Sequence, residues 1–170
     1  MKIRTGFVSN SSSSSFIVAF PRMPTSVGDV HNMLFGPDPI AIRAYDDPIS
    51  SLSAASRVWD DIQAQMEQPP IAIHELAHGF EDDVYWEVTK DLPRPWDPDI
   101  PQEERMRREA ERNALVAAAA EENAKAFMAE VPKGSTWLMF EYEDNSGHFE
   151  AVMEHGDIFA RLPHKKINNH

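Results

Sequence analysis

The chain contains no cysteine. This absence excludes disulfide frameworks, thiolate catalysis and iron–sulfur clusters, so any metal site has to be built from histidine and carboxylate side chains. No stretch approaches the length of about 18 apolar residues that marks a membrane span, and no apolar signal segment precedes the serine run near the N-terminus. We therefore expect neither export nor membrane insertion, and the expected location is the cytoplasm.

Basic side chains are scarce relative to acidic ones. The 170 residues include 16 Lys and Arg but 28 Asp and Glu, a formal net charge of −12. This charge repels phosphate backbones, so we do not expect nucleic-acid binding. An acidic surface suits a basic protein partner, although it is also compatible with a surface that only keeps the protein in solution.

One segment indicates a specific chemistry: residues 74–78 read His-Glu-Leu-Ala-His, an H-E-x-x-H pattern. Two histidines four positions apart project from the same face of a helix, where both rings reach one zinc ion. His74 and His78 are therefore the predicted metal ligands. Glu75 is the predicted catalytic base, because its carboxylate is placed to accept a proton from metal-bound water.

A third ligand is expected from a glutamate on the long helix predicted downstream. Glu111 and Glu122 are eleven residues apart, about three turns, so they share one side of that helix and both are candidates. The alternative for each is an ordinary solvated position. His148 and His155 are the next candidates, since a histidine-rich C-terminal region could also complete a metal site.

Two segments have the periodicity of amphipathic helices, in addition to a short helix predicted between a capping sequence at Thr25 and a stop at Gly36. The first covers about 51–67, and its predicted core positions are Leu52, Ala55, Trp59, Ile62 and Met66. The second covers 102–131, and its predicted packing seam is Ala110, Asn113, Ala117, Ala120, Ala124, Phe127 and Val131.

The remaining segments favour strands and loops. Alternation and β-branched or aromatic content predict strands at 2–8, 16–20, 84–89, 136–143 and 148–154, with a further strand at 157–161. The last three form a β-meander in this prediction, and four prolines make residues 92–101 a connector without helix.

The serine run Ser11, Ser12, Ser13, Ser14 and Ser15 is predicted to be a flexible connection between the first two strands. In one interpretation it is a solvated loop. In the other it is a partner-binding loop, whose hydroxyl and backbone N–H groups meet an anion or a protein.

Both ends of the chain resemble a group of short, uncharacterised phage and bacterial proteins. The resemblance rests on Gly-Phe-Val-Ser-Asn at 6–10 with the serines and Phe16 after it, and on Glu-His-Gly-Asp-Ile-Phe at 154–159 with Leu-Pro-His at 162–164. It covers about a quarter of the chain. It implies a virus-associated origin, and hence a location in the host cytoplasm or the virion.

Residues 71–80 separately resemble the motif helix of the zincin metallopeptidases. That resemblance makes His74 and His78 the ligands and Glu75 the general base. The chain departs from the longer metzincin pattern, because Val84 stands where a third histidine would follow. A glutamate on a second helix, as in gluzincin-like sites, remains open, and Glu122 lies in a segment loosely similar to that helix in small phage-linked peptidases.

These observations predict a single α+β domain over residues 1–170, with a small, mainly antiparallel sheet packed by two amphipathic helices and a short motif helix. One predicted function is a zinc-dependent hydrolase of zincin-like type. The alternative is a non-catalytic viral binding or structural protein, either an inhibitor of a host factor or a particle component, that uses its acidic surface. A third reading treats the motif as a buried helix with its histidines hydrogen-bonded in the core.

Overall fold

The structure, a computed structural model, describes residues 13–44, 47–66, 71, 73–143 and 147–169. The strand predicted at 2–8, together with Ser11 and Ser12, lies outside these residues. The fold is α+β, as predicted. The chain divides into two compact units, a sheet unit of residues 1–70 and 133–170 and a helical unit of residues 71–132.

The elements follow in chain order within each unit. Those of the sheet unit are β1 (Ser13–Phe20), α1 (Val27–Leu34), β2 (Ala41–Ile42), β3 (Ile49–Ser50), α2 (Ser51–Gln65), β4 (Thr136–Glu143), α6 (His148–His155) and β5 (His164–Asn169). Those of the helical unit are α3 (Ile73–His78), α4 (Glu81–Thr89) and α5 (Gln102–Glu130). None of the helices in the described part of the chain is both long and apolar enough to cross a membrane.

The central strand of the three-stranded sheet is β1, which pairs antiparallel with β4 on one side and β5 on the other. The prediction of a flexible loop is wrong for Ser13, Ser14 and Ser15, because these residues extend the strand. Their backbone groups pair with both neighbouring strands, and the Ser14 side chain is buried and donates a 2.8 Å hydrogen bond to Glu154 Oε1. Paired backbone and a satisfied hydroxyl outweigh the low strand propensity of serine.

The main core lies in this unit and combines the inner faces of β1 and β4 with helices α1, α2 and α6. The helix predicted at 51–67 is confirmed, with Ser50 as its N-cap. Its core face is partly wrong, because Leu52 and Met66 are exposed and Trp59 is only half-buried. The buried positions are Ala54, Ala55, Val58 and Ile62. Two alanines on one turn let α2 approach α1 closely.

The predicted β-meander is wrong after its first strand. The strand at 136–143 is confirmed as β4, but residues 148–155 form α6, and 157–161 form turns. The alternation at 148–154 was ambiguous, because the same residues place Ala151, Val152 and Met153 against the core as a helix. The sheet position next to β1 is taken instead by β5.

In the helical unit, the strand predicted at 84–89 is wrong, because these residues belong to α4. Three acidic residues in the first turn, Glu81, Asp82 and Asp83, favour a helix through its dipole, and Val84 and Thr89 are buried. This outweighs the β propensity of the segment.

The helix predicted at 102–131 is confirmed as α5, but its seam is only partly correct. Ala110, Asn113 and Ala117 are exposed. The buried stripe is Arg112, Val116, Ala120 and Ala124, at a spacing of four residues.

Two contacts define how α4 lies on α5. Phe80, just before α4, packs on Phe127 with ring centroids 5.7 Å apart, and the carbonyl of Leu92, just after α4, accepts a 2.8 Å hydrogen bond from Arg112. The chain therefore runs from the C-terminal part of α5 back toward its N-terminal half, antiparallel to it. Residues 91–101 then return to the start of α5 without helix or strand.

Candidate functional site

The motif helix α3 is six residues long and is held against α5 through its apolar side. Leu76 and Ala77 are buried, whereas His74, Glu75 and His78 are exposed. A helix this short has little stability of its own, so packing on α5 fixes its orientation. The reading of the motif as a buried helix with core histidines is therefore wrong.

One of the two histidines already has a carboxylate partner. Nδ1 of His78 lies 2.8 Å from Oε1 of Glu81, in the first turn of α4. When the Nδ1 nitrogen of a histidine is engaged by a carboxylate, Nε2 is oriented and left available, and metal-bound histidines commonly have such a partner. His74 and His78 therefore present donors suited to zinc from one exposed helix face.

The glutamates expected to complete the site both lie on the exposed surface of α5. Glu122 forms an ion pair of 3.0 Å with Lys125, and Glu111 lies 4.0 Å from Arg107. Glu111 is also about 24 Å along the helix axis from Phe127, the α5 residue next to the end of α3, so Glu122 is the nearer of the two. Within the described ranges, no group of three or more His, Cys, Asp or Glu side chains is placed to hold a metal ion.

The other predicted site residues lie in the sheet unit. His148 is the first residue of α6 and is exposed. His155 is the last, with Nε2 3.7 Å from Oε2 of the buried Glu154. Of the serine run, Ser14 is buried in β1.

Sequence reasoning missed an acidic and aromatic surface on α4, which we call the α4 surface and define as Asp82, Tyr85, Trp86 and Glu87. All four side chains are exposed, and Trp86 keeps 73% of its accessible area. Asp82 lies one turn before both aromatic residues and forms no ion pair with a described residue. The acidic and aromatic residues are evident in the sequence, but the predicted strand at 84–89 would place Trp86 on the opposite face from Tyr85 and Glu87.

A second exposed tryptophan in the helical unit has a different environment. Trp96 keeps 60% of its area, and the guanidinium of Arg112 lies 5.5 Å from its ring centroid. Arg112 itself is 5% exposed and donates to the carbonyl oxygens of Leu92 and Pro93. This tryptophan therefore already has a cationic neighbour, and Trp86 has no such contact with a described residue.

A partly buried polar network connects α2, β4 and α6 in the sheet unit. The hydroxyl of Tyr142 lies 3.2 Å from Asp61 Oδ2, and Arg57 reaches both Asp61 and Glu150. Burial raises the pKa of Asp61 above its ordinary value and raises the pKa of Tyr142 well above its ordinary value. The tyrosine therefore stays neutral and acts as a structural donor rather than as an acid or a nucleophile.

No protein-family model, no curated protein and no solved structure matches the chain.

Proposed function

We propose that this protein is a non-catalytic binding protein and that the α4 surface contacts a basic segment of a partner protein. The observation that carries the proposal is the exposure of Trp86. A single exposed apolar residue is ordinary, but a tryptophan that keeps 73% of its accessible area one turn from Asp82, a carboxylate without an ion pair to a described residue, has the composition of a binding hot spot. Glu87, the other carboxylate of the surface, is paired with Lys90 at 2.9 Å.

The charge of the helical unit supports a basic partner. Residues 71–132 contain 15 acidic and 7 basic side chains, a net charge of −8. Several of the basic side chains are already engaged, since Arg107 and Arg108 contact Glu104 and Lys125 contacts Glu121. The unit therefore attracts cations, and an arginine or lysine brought in this way can lie over the indole ring of Trp86 in a cation–π contact.

The proposal is tested with a short arginine-rich peptide, with a glutamate-rich peptide of equal length as the negative probe. Titration followed by the indole N–H signals in NMR spectra is expected to shift the Trp86 signal and to give an affinity that decreases as salt is raised. Trp86→Ala is expected to weaken binding roughly tenfold or more.

Trp96→Ala is the matched control, because Trp96 is also exposed but lies beside Arg112, whose charge repels a basic peptide. Its affinity is expected to stay within about twofold of the wild type. Equal losses in the two variants, or binding of the glutamate-rich peptide, would exclude the α4 surface as the contact. The natural partner is expected to be a host or viral protein. We expect the wild-type protein to bind it and the Trp86→Ala variant not to bind it.

The second candidate is zinc binding at His74 and His78, and it is favoured by the 2.8 Å contact between His78 and Glu81. Two histidines four residues apart on a helix can reach one zinc ion, but a catalytic zinc centre has three protein ligands, and the described residues supply no third one at this site. The donor set therefore supports metal binding more than it supports hydrolysis. If zinc is bound, the zincin resemblance makes Glu75 the candidate base.

Metal analysis of protein purified without a histidine tag tests this candidate. Zinc binding predicts about one zinc per chain, lost in His74→Ala and in His78→Ala. A metal-free wild type whose melting temperature does not change in chelator would exclude it. Glu75→Gln is expected to keep the zinc and lose peptide hydrolysis, and equal turnover in this variant and the wild type would exclude the catalytic role.

A further inference from the structure

The sheet unit contains a surface cavity of about 300 Å³ that the proposed function does not use. Its walls come from the end of α1, from β2 and from the segment after α6. Leu34, Phe35, Ile40 and Ile42 supply apolar side chains to the lining. The volume is at the lower end of the range for small-molecule sites and corresponds to about ten water molecules.

The β2 side of the cavity is fixed by hydrogen bonds to Ser51, which is buried. The backbone N–H of Ile40 donates to Ser51 Oγ at 2.9 Å, and the N–H of Ser51 donates to the Ile40 carbonyl at 2.9 Å. The same Ser51 hydroxyl lies 2.9 Å from Nε2 of His31, a buried histidine of α1. This wall is therefore formed before any ligand arrives, which reduces the entropic cost of binding.

Arg161 lines the cavity and lies directly against the backbone of Gly36. Gly36 has φ +93°, and a Cβ atom at that position would lie 2.5 Å from Nη1 of Arg161. The guanidinium therefore occupies space that only a glycine leaves open. Arg161 donates no hydrogen bond to a described acceptor, unlike Arg22, whose guanidinium forms two short hydrogen bonds with Asp29.

The charges around the cavity favour an anion of one unit. Arg161 supplies one guanidinium that donates to no described acceptor, and Asp157, a non-glycine residue in the left-handed region at φ +49°, supplies a carboxylate to the same lining. The net charge of the whole protein is −12. A dianion would be repelled by Asp157 and by the protein as a whole.

We infer that this cavity binds a small organic monoanion, a carboxylate attached to an apolar group about the size of a phenyl ring. The carboxylate pairs with the Arg161 guanidinium, whose planar donors match its two oxygens. The apolar group lies against Leu34, Phe35 and Ile42. The site is in a different unit from the α4 surface, so an experiment that excludes one proposal leaves the other untouched.

Sodium benzoate is the probe, followed by backbone N–H shifts in NMR spectra, with benzyl alcohol as the neutral analogue and inorganic phosphate as the anion without an apolar group. We expect saturable benzoate shifts confined to residues 34–43 and 156–161. A ligand of about ten non-hydrogen atoms is expected to bind with a Kd on the order of 1–10 mM.

Arg161→Gln is expected to weaken benzoate binding about tenfold, because it removes a charge-assisted pair. Arg94→Gln, an exposed arginine of the helical unit, is the matched control and is expected to leave the affinity unchanged. Thermal melting of both variants checks that the fold is retained. The inference is overturned if Arg161→Gln binds benzoate as well as the wild type does, if benzyl alcohol binds equally tightly, or if phosphate binds more tightly than benzoate.

Discussion

Replacing Arg112 with leucine removes a buried cation from the inner face of α5 and leaves its acceptors without a donor. In the native protein the guanidinium is 5% exposed, donates to the carbonyl oxygens of Leu92 and Pro93, and stacks on Trp96. No carboxylate in the described part of the chain pairs with it. It fastens the chain after α4 to the middle of α5.

The expected loss of stability is the balance of four effects. The half-buried Leu92 carbonyl loses a charged donor, which costs about 1.5–2 kcal/mol, whereas the exposed Pro93 carbonyl regains water and costs little. The contact with the exposed ring of Trp96 adds about 0.5–1 kcal/mol. Relief of guanidinium desolvation acts in the opposite direction, and leucine recovers part of the apolar packing. We expect a net loss of about 2 kcal/mol.

Urea denaturation followed by circular dichroism measures this difference. Arg112→Lys retains the charge and one possible contact, so it is expected to lose about half as much stability. Arg105→Leu is the matched control, because Arg105 lies seven residues earlier on the same helix but is exposed, and its change is expected to stay within about 0.5 kcal/mol. An Arg112→Leu protein as stable as the wild type would refute the argument, since desolvation of the guanidinium would then outweigh its contacts.

Three further predictions concern the sheet unit. Burial raises the pKa of Asp61 above its ordinary value of 3.8, so the folded state keeps a proton that the unfolded chain has released, and stability falls as pH rises through this window. Urea titrations of Asp61→Asn are expected to show no such decline in the free energy of unfolding just above pH 3.8. If this free energy falls with pH as steeply in the variant as in the wild type, Asp61 is not the group responsible. Ser14→Ala is expected to cost about 1–3 kcal/mol of unfolding free energy, because Glu154, 3% exposed, loses its 2.8 Å donor; a loss below about 0.5 kcal/mol would mean that another group satisfies the carboxylate. Gly156→Ala places a Cβ 2.5 Å from the carbonyl oxygen of Val152 and is expected to cost about 1–3 kcal/mol, measured by thermal melting; an unchanged melting temperature would show that α6 shifts freely.

The sequence predicted the helices whose hydrophobic periodicity extends over many residues. The helices at 51–65 and 102–130 were predictable because their periodicity extends over four or more turns, so that errors at single positions average out. The α+β class was predictable from the order of helical and strand segments, and the shared helix face of His74 and His78 was predictable from their spacing. A spacing of four residues on a helix fixes two side chains on one face whatever surrounds them.

The tertiary structure determined whether the short segments form helices or strands and which side chains are buried. Residues 84–89 and 148–154 satisfy both a strand pattern and a helix pattern, and propensity differences of at most about 1 kcal/mol are smaller than the free energy of burying one large apolar side chain. Ser14 became part of a central strand because two partner strands and Glu154 were available to it. The exposure of Trp86 and the position of Arg161 against Gly36 likewise depend on residues far apart in the chain, whose proximity is created only by packing.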